Sequence, residues 1–132
     1  MQRTFLIAAA VFGALGVALG AFGAHGLEKL TTDEKILHGF QTATQYQLYH
    51  ALALLAVGIL YDRYPVRTMK WAGYSFIAGI IFFSGSLYLL TFLKIQESSA
   101  VKIVGPITPL GGICFIAGWL LLLVALVKRK SL

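Results

Sequence analysis

Carboxylates are scarce in this sequence, five among 132 residues, and none falls in a long apolar stretch. Their absence there removes the acid that a Ser-His-Asp arrangement uses to orient its base. It also removes the intramembrane Asp or Glu on which proton relays commonly depend, leaving only His50. Cysteine is scarcer still: Cys114 stands alone, so no internal disulfide can form and no Cys-x-x-Cys site exists. His25, His50 and Cys114 are of the types that hold transition metals, but no His-x-x-x-His pair prepares a site. No catalytic residue, metal or cofactor is expected.

Charge of either sign is also sparse, at 12% of residues against about 25% in an average soluble chain. What charge there is lies in clumps, which leaves four charge-free windows at residues 4–27, 36–61, 71–93 and 103–127. Each is longer than the roughly 20 residues that cross a hydrocarbon core of about 30 Å. Unpaired backbone amides are costly in lipid, so such runs must be helices, and they are too long and unbroken for barrel strands. A soluble bundle would show a polar face at helical period, and LLLLVALV from Leu120 onward shows none. The expected fold is an all-α integral membrane protein, one domain of four transmembrane helices in an antiparallel bundle, spanning about 4–27, 41–61, 71–93 and 107–127. Arg3 ahead of an apolar run ending in AFGA also fits a signal sequence, but the run exceeds the ~7 to 15 residues of a signal core. A retained helix is the expectation.

The excess of basic residues is explained by topology, so no nucleic-acid partner is expected. With the amino terminus inside, the inner segments hold Arg3, Arg63, Arg67, Lys70, Lys128, Arg129 and Lys130, and the outer loops hold Lys29, Lys35, Lys94 and Lys102. This is the asymmetry of the positive-inside rule. Both termini are therefore expected in the cytoplasm, with Lys128, Arg129 and Lys130 near anionic headgroups. Tyr61, Tyr64 and Trp71 flank the loop between helices 2 and 3 as an aromatic belt would.

Helix 1 carries Gly13, Gly16, Gly20 and Gly23 on one face with Ala9, a close-packing stripe of the kind that brings helices together in lipid. Packing within the chain is preferred over packing against a second copy. Thr31 and Glu34 fit a capping box, which predicts a helix start near Thr32. That helix either continues through Gly39 or forms a short interfacial helix bent there. In GPITPLGG, Thr108 is a candidate N-cap with Pro109 at the first helical position. Pro106 is expected to hold Gly105 out of helical geometry. Gly111 and Gly112 supply a second packing surface.

The segments GAFGAHGL (Gly20 to Leu27), YQLYHALALL (Tyr46 to Leu55), FFSGSLY (Phe82 to Tyr88), TPLGG (Thr108 to Gly112) and AGW (Ala117 to Trp119) together resemble one family. It comprises the small membrane proteins grouped as domain of unknown function 423, or uncharacterised protein family 0382, whose animal relatives are called transmembrane protein 256. The resemblance covers nearly the whole chain, with its motifs in order. It implies a four-helix integral protein, usually of the bacterial cytoplasmic membrane, and no established activity. The outer loop before the last helix is somewhat longer than the pattern, which bears on where that helix starts.

Mapped onto depth, the polar side chains crowd the outer half of the bundle. His25 ends helix 1, Gln45, Tyr46, Gln47, Tyr49 and His50 begin helix 2, Ser84, Ser86 and Tyr88 lie near the end of helix 3, and Thr108 begins helix 4. Thr42, Tyr46 and His50 share one helical face, and Gln41, Gln45 and Tyr49 an adjacent stripe. Such groups are costly against lipid and should face the bundle interior. Two readings follow. One is an outward-opening pocket that binds or conducts a small polar or amphipathic ligand, with conduction requiring an oligomer. The other is a hydrogen-bond network that only fastens the helices, in an accessory or scaffolding subunit of a larger membrane complex. The lipid bilayer is the expected surrounding, and a homo-oligomer or a larger complex the candidate assembly.

Overall fold

A computed structural model describes residues 1–128, so Arg129 and Lys130 of the basic closing run lie outside the described residues. The described chain is helical throughout its ordered elements. Helix α1 (Gln2–His25) is followed by a 3-10 turn (Leu27–Lys29), and α2 is Glu34–Arg63. Helix α3 (Arg67–Gly79) passes through a π turn (Ile80–Ser84) into α4 (Gly85–Ile95). The short α5 (Val101–Val104) leads to α6 (Ile107–Val127).

Three of these stretches, Gln2–Lys29, Arg67–Ile95 and Val101–Val127, are long and apolar enough to cross a membrane. Helix α2 has the length, 30 residues, but its stretch 41–50 carries Gln41, Gln45, Gln47 and His50. Its buried face takes in Gln47 and His50 together with Leu54 and Val57. Helix α1 packs along α2, which also meets α3, the π turn and α4, while α6 packs on α3 and the π turn. The helices alternate in direction. Phe5 of α1 sits edge-on to Tyr61 and Tyr74 at one end, where Met1 sulfur also accepts from the Tyr74 hydroxyl. Phe22 stacks near Phe92 at the other. Helix α6 starts beside Ser86 and brings Leu122 and Ala125 into one cluster with Phe5 and Met69, so Lys128 ends on the Met1 side. We call that the terminal end, and the opposite one the distal end.

Packing follows small residues. A side chain at Gly73 would collide with the Phe5 ring, at Gly79 with the Phe115 ring, and at Gly118 with the Phe76 ring. On α1 the seam against α2 runs through Ala9, Gly16 and Gly23, spaced by sevens. A Cβ on Gly16 would meet Leu48, and one on Gly23 would meet Phe40. Gly13 and Gly20 instead border open space, so only half of the predicted glycine stripe is packed within the chain. Gly111 is pressed against the backbone of Phe82 and Phe83, whereas Gly112 makes only ordinary contact with the Phe83 ring.

Several local expectations need correction. The cap of α2 is Asp33, whose carboxylate accepts from the Lys35 amide, while Thr31 accepts from the Asp33 amide. The shorter Asx cap displaces the Thr31–Glu34 box and moves the start to Glu34. The helix then runs through Gly39 without a break. There is no separate interfacial helix within it, and the only short element before α2 is the 3-10 turn. Gly105 has φ −50 and ψ −47, helical values, despite the following Pro106. Thr108 does not cap α6, because the preceding residues Pro106 and Ile107 already take up the helical path.

Candidate functional site

Gln47 joins three helices with one side chain. Its Nε2 donates to the Phe12 carbonyl of α1 at 2.9 Å, and its Oε1 accepts from the Tyr88 hydroxyl of α4 at 2.6 Å. A carbonyl can only accept, so Phe12 fixes which end of the amide faces α1. Gly16 lies beside it on α1, where a Cβ would press on Leu48 and come into ordinary contact with Gln47.

The π turn places the next bond. An inserted residue shifts the register of the ladder, and the Gly85 amide accordingly bonds back to the Ile80 carbonyl. Ser84, fully buried, then donates to the Ala43 carbonyl of α2 at 2.8 Å. Two residues on, the Ser86 hydroxyl bonds the Phe83 carbonyl and meets the Thr108 hydroxyl of α6.

His50 occupies an aromatic box. Its ring stacks on Phe115 with centroids 3.6 Å apart and planes 10° from parallel. Phe76, Trp119 and Tyr46 complete the walls. The Trp119 indole N–H donates to His50 Nε2 at 3.1 Å. An indole nitrogen donates only, so Nε2 is the acceptor and Nδ1 carries the proton, which it gives to the Tyr46 carbonyl at 2.8 Å. Both ring nitrogens are thus engaged in a neutral imidazole. Among the described residues no buried side-chain nitrogen or oxygen lacks a partner.

The open space lies elsewhere. A cleft of about 430 Å³ separates the distal ends of α1 and α2. Gly20, Gly23 and Ala24 form its α1 wall, Leu37 and Phe40 its apolar α2 wall. Glu28 of the 3-10 turn, with Gln41, Thr44 and Gln45, adds polar groups. It exists because two glycines and an alanine leave α1 without bulk where the chain turns back.

The residues singled out from the sequence therefore separate into groups. Gln47, Tyr88, Ser84, Ser86, Thr108 and His50 make the internal bonds described above, with Gln47 3% and His50 6% exposed. Gln45 lines the cleft. Tyr46 and Tyr49 are 39% and 57% exposed, their rings 6.0 Å apart on the outside of α2. His25 is exposed at the end of α1, next to Ala24 but not among the cleft's lining, and His38 is exposed. Sequence reasoning did not reach Glu28, Phe40, Thr44, Phe115 or the partnership of Trp119 with His50. A signal for the true inward face was present: Ala43, Gln47, His50, Leu54 and Val57, spaced by fours and threes, are all buried. The face through Thr42 and Tyr46 is rotated off it.

Comparison with known proteins agrees with this architecture. A family model described as "Protein of unknown function (DUF423)" matches residues 19–112. The UPF0382 membrane protein YwdK of Bacillus subtilis is 45% identical over 128 residues, covering 96% of this chain and 98% of its own length. The UPF0382 membrane protein SAB0533 of Staphylococcus aureus is 44% identical over 127 residues, covering 96% of this chain and 98% of its own. No solved structure matches the chain. Near full-length identity to bacterial membrane proteins, together with apolar helices of membrane-spanning length, makes this a multi-pass protein of the cell membrane, and it belongs to the DUF423, or UPF0382, family.

Proposed function

We propose that the chain crosses the membrane four times with both termini in the cytoplasm, and that it binds a small polar or amphipathic molecule in the distal cleft between α1 and α2. The observation that carries this reading is the contrast between two sets of polar groups. Among the described residues, those buried inside the bundle all have a hydrogen-bond partner, in a side chain or a backbone carbonyl. Glu28, Gln41 and Gln45 line a space of about 430 Å³ and have no side-chain hydrogen bond or ion pair to any described residue. On the positive-inside orientation the cleft opens at the outer headgroup zone, where an apolar wall and a polar rim suit an amphipathic ligand. The His50 network fastens the bundle that holds the cleft.

The test is ligand-observed saturation-transfer NMR on the protein in nanodiscs, with 4-phenylbutylammonium, 4-phenylbutanol and 4-phenylbutyrate as probes. At least one is expected to bind the native chain and to lose binding in Gly20→Leu, whose Cβ meets nothing within 4 Å and whose side chain would fill the cleft that Gly20 lines. Signals absent for all three, or unchanged by the substitution, reject the reading.

A second reading, an accessory subunit or homo-oligomer, is favoured by Tyr46 and Tyr49. Their hydroxyls have no partner among the described residues, although they lie on the outside of α2, where lipid offers none. A photo-crosslinking side chain at Tyr49 that gives a stoichiometric protein adduct in membranes supports it, and adducts to lipid alone count against it.

A further inference from the structure

We infer that the distal cleft selects organic cations, an ammonium or similar onium group carrying an apolar portion; this rests on the ligand-binding reading above. The ionic character of the lining is one-sided. Glu28 is its sole charged residue, and none of the basic residues on that side of the chain, His25, Lys29, Lys35, His38, Lys94 or Lys102, lines it. Glu28 makes no ion pair with any described residue, so its carboxylate is not already neutralised by the protein. An anion placed in the cleft would meet that carboxylate without any lining cation to offset it, whereas a cation gains the pair.

The remaining lining fits the rest of such a molecule. The amide oxygens of Gln41 and Gln45 accept from N–H groups, while Thr44 spends its own hydroxyl proton on the Gln41 carbonyl at 2.9 Å and keeps its oxygen lone pairs. Leu37 and Phe40 on the same helix, with Gly20 and Gly23 across the cleft on α1, give an apolar surface for a hydrocarbon portion, which binds by leaving water. Negative and accepting groups beside a hydrocarbon surface describe an amphipathic amine. The ammonium can belong to a free amine or to a phosphatidylethanolamine headgroup.

The experiment compares the three phenylbutyl probes, which share one apolar part and differ in the charge of the head, against the native chain, Glu28→Gln and Gly20→Leu in phosphatidylglycerol nanodiscs. Gly13→Leu, also in open space but outside the cleft's lining, is the control for folding. The native chain is expected to bind the ammonium probe about tenfold or more tighter than the alcohol and to reject the carboxylate. Glu28→Gln should erase that preference, and Gly20→Leu all binding, with Gly13→Leu unchanged. If the alcohol or carboxylate binds as well as the ammonium, and Gly20→Leu still abolishes it, the cation assignment is overturned while the cleft stands. If Gly20→Leu leaves binding intact, both fail. Adding phosphatidylethanolamine then names the source of the ammonium: competition lost in Glu28→Gln points to the lipid headgroup, and no competition points to a free amine. Both of these results support the cation.

Discussion

Trp119 of α6 and His50 of α2 are joined by one hydrogen bond, indole N–H to Nε2 at 3.1 Å, and that bond decides the tautomer of the imidazole. The histidine is then fully used: Nδ1–H goes to Tyr46 and one ring face to Phe115. Removing the indole donor by Trp119→Phe should cost about 0.6–2 kcal/mol, the usual worth of such a bond in membranes. His50→Ala also leaves a cavity beside Phe115 and should cost more, about 2–5 kcal/mol. Unfolding in mixed detergent micelles measures both. An alanine variant as stable as the native chain would show that the box does not hold the bundle together.

Gln47 carries the second fastening, and a double-mutant cycle isolates it. Tyr88→Phe leaves Oε1 of Gln47 buried without its donor, so a loss of about 0.6–2 kcal/mol is expected. In a Gln47→Leu background the same substitution should cost distinctly less, because the acceptor is gone. Equal costs in the two backgrounds would mean that the hydroxyl serves another group.

Glycines on α1 and α6 should behave differently although the sequence presents them alike. Gly111→Ala drives a methyl into the backbone of Phe83, which cannot swing aside as a side chain would, and should destabilise by about 1–3 kcal/mol. Gly13→Ala meets nothing and should be neutral or stabilising by about 0.5–1 kcal/mol. Thermal unfolding in detergent compares them. Equal losses would place a partner helix against Gly13.

How far the sequence carries is clearest from individual residues. Each charge-free window is helical over most of its length, but the helices outrun the expected spans: α2 starts at Glu34, where Asp33 caps it, rather than at the hydrocarbon edge near residue 41, and α3 starts at Arg67 rather than near residue 71. That Gln47, His50, Ser84 and Tyr88 turn inward follows from the cost of exposing them to acyl chains. Their partners were not legible. Trp119 lies 69 residues from His50, and three of the bonds end on carbonyls, of Phe12, Ala43 and Tyr46, which every residue has and no pattern flags. The π turn that aims Ser84 is a backbone register shift with no fixed sequence cue. The cleft was hidden for the opposite reason: it is made by what Gly20, Gly23 and Ala24 lack. Gly20 and Gly23 read as packing residues, and only Gly23 is one.

Orientation and cleft can be tested together by cysteine accessibility. With Cys114→Ser as background, single cysteines at Gly20, Gln45 and Ser84 are exposed in intact cells to a membrane-impermeant thiol reagent, with and without 4-phenylbutylammonium. Cysteines at Gly20 and Gln45 should react from outside and be protected by the probe, and the one at Ser84 should stay unreacted. Reaction at Ser84, or reaction at Gly20 and Gln45 only after the cells are opened, would contradict a closed interior with its one ligand cleft facing outward.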